Sequence, residues 1–309
     1  MLLELIVEAI GFGIRVSTGL LVLTLAAVWY YQDRLLYFPE HRGPRQIAHN
    51  DTHFKSPHEW SLPFTENWIA TVDNVLLHSW LIVQDDATTC STIVFFHGNA
   101  GNIGYRLPNA YELYRRLHVN VLLVDYRGYG NSEGTPNEKG LQLDAEAVLL
   151  WLASQNDQID PDRIFLFGRS LGGAVALRLT TQNPSLIRGT IVENTFTTID
   201  EMAIVLGLQL GVPFADRLRI FLAFFLSNHW NNEYCVTQVR TPLLFLSGLQ
   251  DELVPPDHMK RLFNLATSET RVFRGYSGGH NDTYVAGGAQ YYRDIADFLL
   301  SCETPDNVK

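Results

Sequence analysis

Positive charge is in short supply in this sequence: 23 Lys and Arg stand against 33 Asp and Glu, a net charge of −10. Clustered cations are what hold a phosphate backbone, so nucleic acid is not an expected partner. Cysteine is scarce too. Cys90, Cys235 and Cys302 lie far apart with no CxxC pair, which argues against a zinc ribbon and a disulfide framework. None falls in the first 30 residues, so an N-terminal palmitoylation cluster is excluded as a membrane device. HExxH, an EF-hand loop, a P-loop and a GxGxxG turn are all missing, and neither a metal nor an organic cofactor is expected. What remains is 46% hydrophobic and 18% charged over 309 residues, the composition of a folded chain with one large α/β domain and an appendage.

The appendage is at the start. Residues 10–31 are apolar except for Arg15 and a few small hydroxyl residues, and about 22 helical residues reach roughly 33 Å, a bilayer core. Arg15 is placed to snorkel at one end, and Trp29, Tyr30 and Tyr31 form an aromatic belt at the other. A signal peptide or a buried core helix is the competing reading, but Glu4 and Glu8 stand where a signal has basic residues and no small-x-small cleavage site follows. A single membrane helix is expected. Arg34, Arg42 and Arg45 after it, against Arg15 before it, favour a cytosolic catalytic domain, whereas Asn50-Asp51-Thr52 is a glycosylation sequon usable only in a lumen. The expected division is an anchor at 1–31, a Pro-interrupted connector at 32–65, a catalytic domain at 66–301 and a tail at 302–309.

Within the domain, apolar runs at 68–72 and 75–83 flank Asp73-Asn74, a hairpin signal. Short β-branched and aromatic runs at 92–97, 121–125, 164–168, 190–193 and 243–247 then alternate with helical stretches near 103–117, 138–155, 171–182, 257–267 and 287–301. Runs that are continuously apolar suit parallel strands covered on both faces. The expected fold is therefore a doubly wound, mostly parallel α/β sheet. About 50 residues between Glu193 and Leu243 exceed what one crossover needs, and apolar stretches such as 204–206 and 220–226 read as extra core helices or as a small helical cap, about 196–240, over an acyl substrate.

Gly168-Arg169-Ser170-Leu171-Gly172 follows one of these strands and opens a helix. Three fixed positions of such common residues arise by chance in about one chain in ten, so the context carries the weight. A tight strand-to-helix turn needs Gly168 and Gly172 as small neighbours, and it lifts the Ser170 hydroxyl to the sheet's C-terminal edge at a helix N-terminus. A serine is inert without a base, and the base needs a carboxylate to fix its tautomer. Asp251, after the strand 243–247, and His280, in a glycine-loosened loop before the last helix, supply them in the order Ser, Asp, His. Of ten histidines, only His97, His258 and His280 flank strand ends, and His258 reads as a surface group inside a helix. Glu252 and Asp282 are rival acids. The oxyanion needs two donors, for which the Leu171 N–H and Asn99 in the glycine-rich loop after 92–97 are candidates, with His97 bracing that loop. The loop DYRGYGNSEG from Asp125 has neither phosphate-binding spacing and reads as scaffold.

Taken in order, HGNAGN, DYRGYGNSEG, GRSLGG, SGLQDELVPP and GGHND along residues 66–301 resemble the α/β-hydrolase superfamily. With the N-terminal helix and Arg34-Leu35-Leu36-Tyr37-Phe38-Pro39 they look most like its membrane-anchored α/β-hydrolase domain-containing protein 13 group. The resemblance implies the α/β-hydrolase fold, Ser170, Asp251 and His280 as a triad, and a single-pass membrane serine hydrolase. The neighbouring domain-containing protein 17 depalmitoylases carry an N-terminal cysteine cluster that this chain lacks. The expected activity is hydrolysis of an ester or thioester acyl bond, on a lipid or acylated protein at a bilayer. A peptidase of the same fold and a non-catalytic membrane scaffold are the alternatives.

Overall fold

The computed structural model describes residues 2–40, 43–209, 211, 217, 222 and 225–303. It opens on a long helix, α1 (Leu2–Leu36), which continues past Tyr31 to Leu36. The span Ile10–Leu36 is long and apolar enough to cross a membrane by length and composition, and its most apolar stretch is not buried among the described residues. The connector that follows lies on the domain: Arg45 donates to the Ser132 carbonyl at 2.6 Å, and Asn50 and Asn102 exchange side-chain hydrogen bonds at 2.8 and 2.9 Å. Asn50 is buried, and its Nδ2 also donates to the Phe54 carbonyl at 2.7 Å. The sequon asparagine is thus a structural one, and the folded chain leaves no room for a glycan on it.

Eight strands form one sheet in the order β1-β2-β4-β3-β5-β6-β7-β8. β1 (Phe64–Ala70) and β2 (Leu76–Ile82) make the antiparallel hairpin expected around Asp73-Asn74, with Asn74 at φ 62° in the turn. β2 pairs antiparallel with β4 (Asn120–Val124). From β4 onward β3 (Thr92–Phe96), β5 (Ile164–Arg169), β6 (Gly189–Glu193), β7 (Leu243–Gly248) and β8 (Arg271–Tyr276) are parallel. β8 is absent from the strands read out of the sequence. It is the sheet's edge, its first five residues are exposed or half-buried, and Arg271, Arg274 and Gly275 interrupt any apolar run.

Alternation of side chains explains the continuous apolar runs. Val94, Phe96 and Leu166 face a core shared with α3 (Glu138–Ala153) and α4 (Leu171–Gln182). Ile93, Phe95, Phe165 and Phe167 face the other, shared with α2 (Leu107–Leu117) and α8 (Thr283–Glu303), and Phe95 stacks on Phe167 at 4.6 Å. α8 bends at Gly288, φ 51°, so the helix expected from 287 begins one segment earlier, at Thr283. A third cluster packs β6 and β7 against α6 (Asn232–Gln238) and α7 (Pro256–Leu265). Between β6 and β7, α5 (Ile199–Gln209) occupies the first part of the expected cap. Residues 210–224, apart from 211, 217 and 222, and the tail residues 304–309 lie outside the described residues.

Candidate active site

The five parallel strands after β4 end at one edge, and the candidate residues converge there. Ser170 sits between β5 and α4 at φ 55° and ψ −117°, a backbone conformation that costs a non-glycine residue about 1–3 kcal/mol. Its neighbours show why the turn needs glycine. A Cβ on Gly168 would lie 2.2 Å from the Gly172 carbonyl oxygen, and one on Gly172 would lie 2.0 Å from the Phe96 carbonyl oxygen. The Ser170 N–H donates to the Glu193 carbonyl at 2.8 Å, and the Ser170 carbonyl accepts from Thr195 Oγ1 at 2.7 Å. The strained turn is therefore locked onto the end of β6.

His280 and Asp251 are brought together: Nδ1 of His280 lies 2.7 Å from Oδ2 of Asp251. The other carboxylate oxygen accepts the Leu253 and Val254 N–H groups at 2.9 and 2.8 Å, so the Asp251 side chain, 1% exposed, has one orientation. The rival acids fall away from the imidazole. Asp282 closes its own turn by accepting the Gly279 N–H at 2.6 Å, and Glu252 is exposed, with its carbonyl taken by Gln209. The Ser170 hydroxyl is not hydrogen-bonded to His280; such contacts commonly tighten only around a substrate.

Asn194, which the sequence reading passed over, joins the two halves. It follows Glu193 directly, is buried, and takes the left-handed φ of 49°. Its Nδ2 donates to the His280 carbonyl at 3.0 Å and to Thr283 Oγ1 at 2.8 Å, while its Oδ1 accepts the Gly248 N–H at 2.7 Å. One side chain thus ties the end of β7, before Asp251, to the loop carrying His280. The signal available in the sequence was its place immediately after a parallel strand at the active edge.

The loop after β3 lies against the serine: a Cβ on Gly98 would sit 3.6 Å from the Ser170 Cβ. The Asn99 side chain is fully committed, Nδ2 to the Leu36 carbonyl at 2.5 Å and Oδ1 to the Tyr129 hydroxyl at 2.8 Å. Its backbone N–H, like that of Leu171 in the first turn of α4, has no acceptor among the described residues. His97 is fully buried with Nδ1 2.7 Å from the Gly98 carbonyl. Burial, reinforced by the charge of Arg106, pushes the His97 imidazole down to about 3. It is neutral at pH 7, so its Nδ1–H donates to Gly98 and braces the loop. The unfolded ring takes up a proton near pH 6.5 and the folded one only near 3, so folding loses stability as pH falls between those values, by about 1.4 kcal/mol per unit. Urea midpoints should therefore show His97→Gln losing about 2 kcal/mol less than wild type between pH 7 and pH 5.

Two other histidines differ from expectation. His258 is buried rather than at the surface, with Nδ1 2.8 Å from Thr197 Oγ1. His78, which carried no chemical context in the sequence, is buried 2.6 Å from Glu66 and 3.6 Å from Asp125. Burial alone would lower its pKa, and these two carboxylates together raise it instead. Asp125 opens the loop read as scaffold, and Arg127 in that loop clamps Asp144 and Asp73, each at 2.8 Å.

Arg169, beside the nucleophile, forms a buried pair with Glu193 at 2.9 Å and donates to Asn109 at 2.8 Å. Tyr291 donates to the same Glu193 oxygen at 2.9 Å, while Oε1 has no partner. Arg169→Met leaves that carboxylate buried without its cation and is expected to cost about 3–5 kcal/mol in urea unfolding. Adding Glu193→Gln should restore most of the loss. Among the described residues, Asp86, Cys90 and His118 bring ligand atoms within 4.8 Å of one another and could hold a metal ion. They lie where β3 and β4 begin, at the edge opposite the serine.

Comparison with known proteins identifies the family of this fold. Residues 91–228 match the α/β-hydrolase fold family model. The α/β-hydrolase domain-containing protein WAV2 of Arabidopsis thaliana is 38% identical, over 94% of this chain and 92% of that protein. Protein bem46 of Schizosaccharomyces pombe is 35% identical over 92% and 90%, and an uncharacterized membrane protein of Saccharomyces cerevisiae is 36% identical over 91% and 94%. Among solved structures, the Pyrococcus furiosus esterase Pf2001 superposes with a TM-score of 0.66 at 22% identity, covering 80% of this chain and 94% of that one. The chain belongs to the α/β-hydrolase superfamily, as a member of its domain-containing protein 13 and bem46 type.

Proposed function

We infer that this protein is a membrane-tethered serine hydrolase that cleaves an ester or thioester acyl bond. The observation that carries the reading is the 2.7 Å contact between Asp251 and His280 at the edge where Ser170 occupies a strained turn. Asp251 holds the imidazole with its proton on Nδ1, leaving Nε2 to accept the Ser170 proton as the oxygen attacks the acyl carbonyl. The tetrahedral oxyanion is met by the Leu171 and Asn99 N–H groups, whose lack of acceptors among the described residues suits them to it. His280 then protonates the leaving alcohol or thiol. Water, deprotonated by the same imidazole, releases the acyl group as a carboxylic acid.

The tether is α1, in keeping with its apolar span and with the membrane protein among the relatives. An acylated lipid or acylated protein at the bilayer is the substrate favoured by two features. One is the tether. The other is a set of exposed leucines, Leu206 and Leu208 on α5 and Leu249 and Leu253 around Asp251, which offer apolar surface beside the site.

The test is labelling of the full-length protein in detergent by a fluorophosphonate, with long-chain acyl esters, acyl thioesters and peptides as competitors. Protection by esters or thioesters supports the reading and ranks the two bonds. Protection by peptides alone would turn it to a peptidase, and an unlabelled folded protein would leave a scaffold.

A further inference from the structure

The membrane helix does not simply lead into the domain; its last turn is wired into the active site. From Ile10 to Tyr31 α1 is not buried among the described residues, with Trp29, Tyr30 and Tyr31 exposed. From Gln32 onward the character changes. Gln32 is buried and accepts the Ser227 N–H at 2.7 Å, and Asp33 accepts from Asn228 at 2.6 Å. Tyr37 is 2% exposed, donates to Asn228 Oδ1 at 2.8 Å, and accepts from the Trp230 indole at 3.0 Å. Segment 227–230 is the return of the insertion to the domain, and the His229 carbonyl caps the start of α5 by accepting the Ile199 N–H at 3.0 Å.

The same strap also holds the loop after β3. The Leu36 carbonyl takes the Asn99 amide at 2.5 Å, Phe38 forms a parallel bridge with Ala100, and the Phe38 carbonyl accepts the Gly101 N–H at 3.3 Å. Residues 98–101 thus have two sets of fastenings. One belongs to the domain, through His97 and Tyr129. The other belongs to the end of the anchor. Only Gly98 and Asn99 separate the helix's last carbonyl from contact with Ser170.

We propose that residues 32–38 are a positioning strap that sets the Asn99 N–H against the nucleophile, so that turnover depends on how the anchor helix is seated. The inference rests on the reading of Asn99 as an oxyanion donor. A donor must stand within about 0.3 Å of its hydrogen-bonding distance to the developing oxyanion, and a misplacement of about 1 Å costs up to a hundredfold. A loop rich in glycine does not hold that tolerance alone, and the strap supplies two further hydrogen bonds to it, the Leu36 carbonyl accepting from Asn99 and the Phe38 carbonyl from Gly101. About 20 residues from Ile10 cross the hydrocarbon core, which brings Trp29 to its far side. Leu36 is then roughly 10 Å further along the helix, and the serine faces substrate close to the headgroups.

The experiment uses the full chain in lipid nanodiscs, with two glycines inserted between Leu36 and Tyr37, and as a control the same pair inserted after Gly43. Gly43 has open space around it. Rates on a water-soluble short-chain ester are divided by the serine titrated with fluorophosphonate, which removes misfolded protein from the comparison. Insertion within the strap is expected to lower kcat about tenfold or more with KM within about twofold, and to speed amide hydrogen exchange across 98–102; the control should do neither. Tyr37→Phe, which removes one oxygen, should move both readouts in the same direction. Unchanged exchange across 98–102 in both strap variants overturns the proposal. So does faster exchange with unchanged kcat. If wild type hydrolyses no ester or thioester, the hydrolase reading is what has failed, and exchange still decides whether the strap holds the loop.

Discussion

Ser170→Ala is expected to lower kcat for ester hydrolysis by about 10⁶-fold, to the level left by oxyanion and substrate binding alone. The whole chemical path runs through one oxygen: without it there is no acyl-enzyme, and neither His280 nor the Leu171 N–H has a reaction to assist. The same change should be nearly silent in stability. No group among the described residues is hydrogen-bonded to the Ser170 hydroxyl, so its loss orphans no partner. Alanine inherits the strained φ of 55° without adding to it. Thermal unfolding within about 0.5 kcal/mol of wild type, beside a lost rate, separates a nucleophile from a packing residue. A retained rate in Ser170→Ala, with fluorophosphonate still bound elsewhere, would place the nucleophile on another side chain and withdraw the mechanism.

The parts of this molecule that were legible in the sequence are those governed by local rules. Residues 93–96 and 164–167 are apolar at every position because both faces of the sheet are covered, and that continuity survives in the letters. Gly168 and Gly172 are legible because a turn with 2 Å of clearance admits nothing larger. Asp251 is singled out by its place after strand 243–247, and His280 by chain order and its glycine-loosened loop before the last helix; the structure sets them 2.7 Å apart. β8 was missed for the converse reason. As an edge strand it answers to solvent on one side, and Arg271 and Arg274 carry no apolar period.

Long-range polar contacts have no local signature at all. Asn194 looks like any loop asparagine until its amide is seen bridging Gly248 and His280, residues more than fifty positions away. Glu193 is a charged residue at the end of an apolar strand, and its burial is made tolerable by Arg169, 24 positions earlier, and Tyr291, 98 positions later. His258 was placed at the surface because a helix was expected there, which was correct, while the face it presents depends on Thr197 across the insertion. The contact between the end of α1 and the loop after β3 belongs to the same class, since Leu36 and Asn99 are 63 residues apart.

Asp251→Asn should reduce kcat by about 10⁴-fold while leaving substrate binding and folding nearly intact. The argument turns on which way the amide faces. Oδ1 of Asp251 accepts two backbone N–H groups, from Leu253 and Val254, and Oδ2 faces Nδ1 of His280. An asparagine has one oxygen for these two positions. Setting its NH₂ against the two N–H groups would leave both donors unsatisfied, at about 1–3 kcal/mol each, whereas setting it toward His280 orphans nothing. The oxygen therefore keeps the backbone pair and the NH₂ donates to Nδ1. That bond forces the imidazole proton onto Nε2, the nitrogen that must be bare to take the proton of Ser170. The variant is expected to react slowly with fluorophosphonate and ester, with KM within about threefold of wild type and the loss concentrated in kcat. Its urea midpoint should stay within about 1 kcal/mol, because the two backbone bonds survive. A kcat within tenfold of wild type would remove Asp251 from the proton path. It would leave His280 oriented by the Asn194 bond to its own carbonyl alone, since Asp282 is already occupied by Gly279.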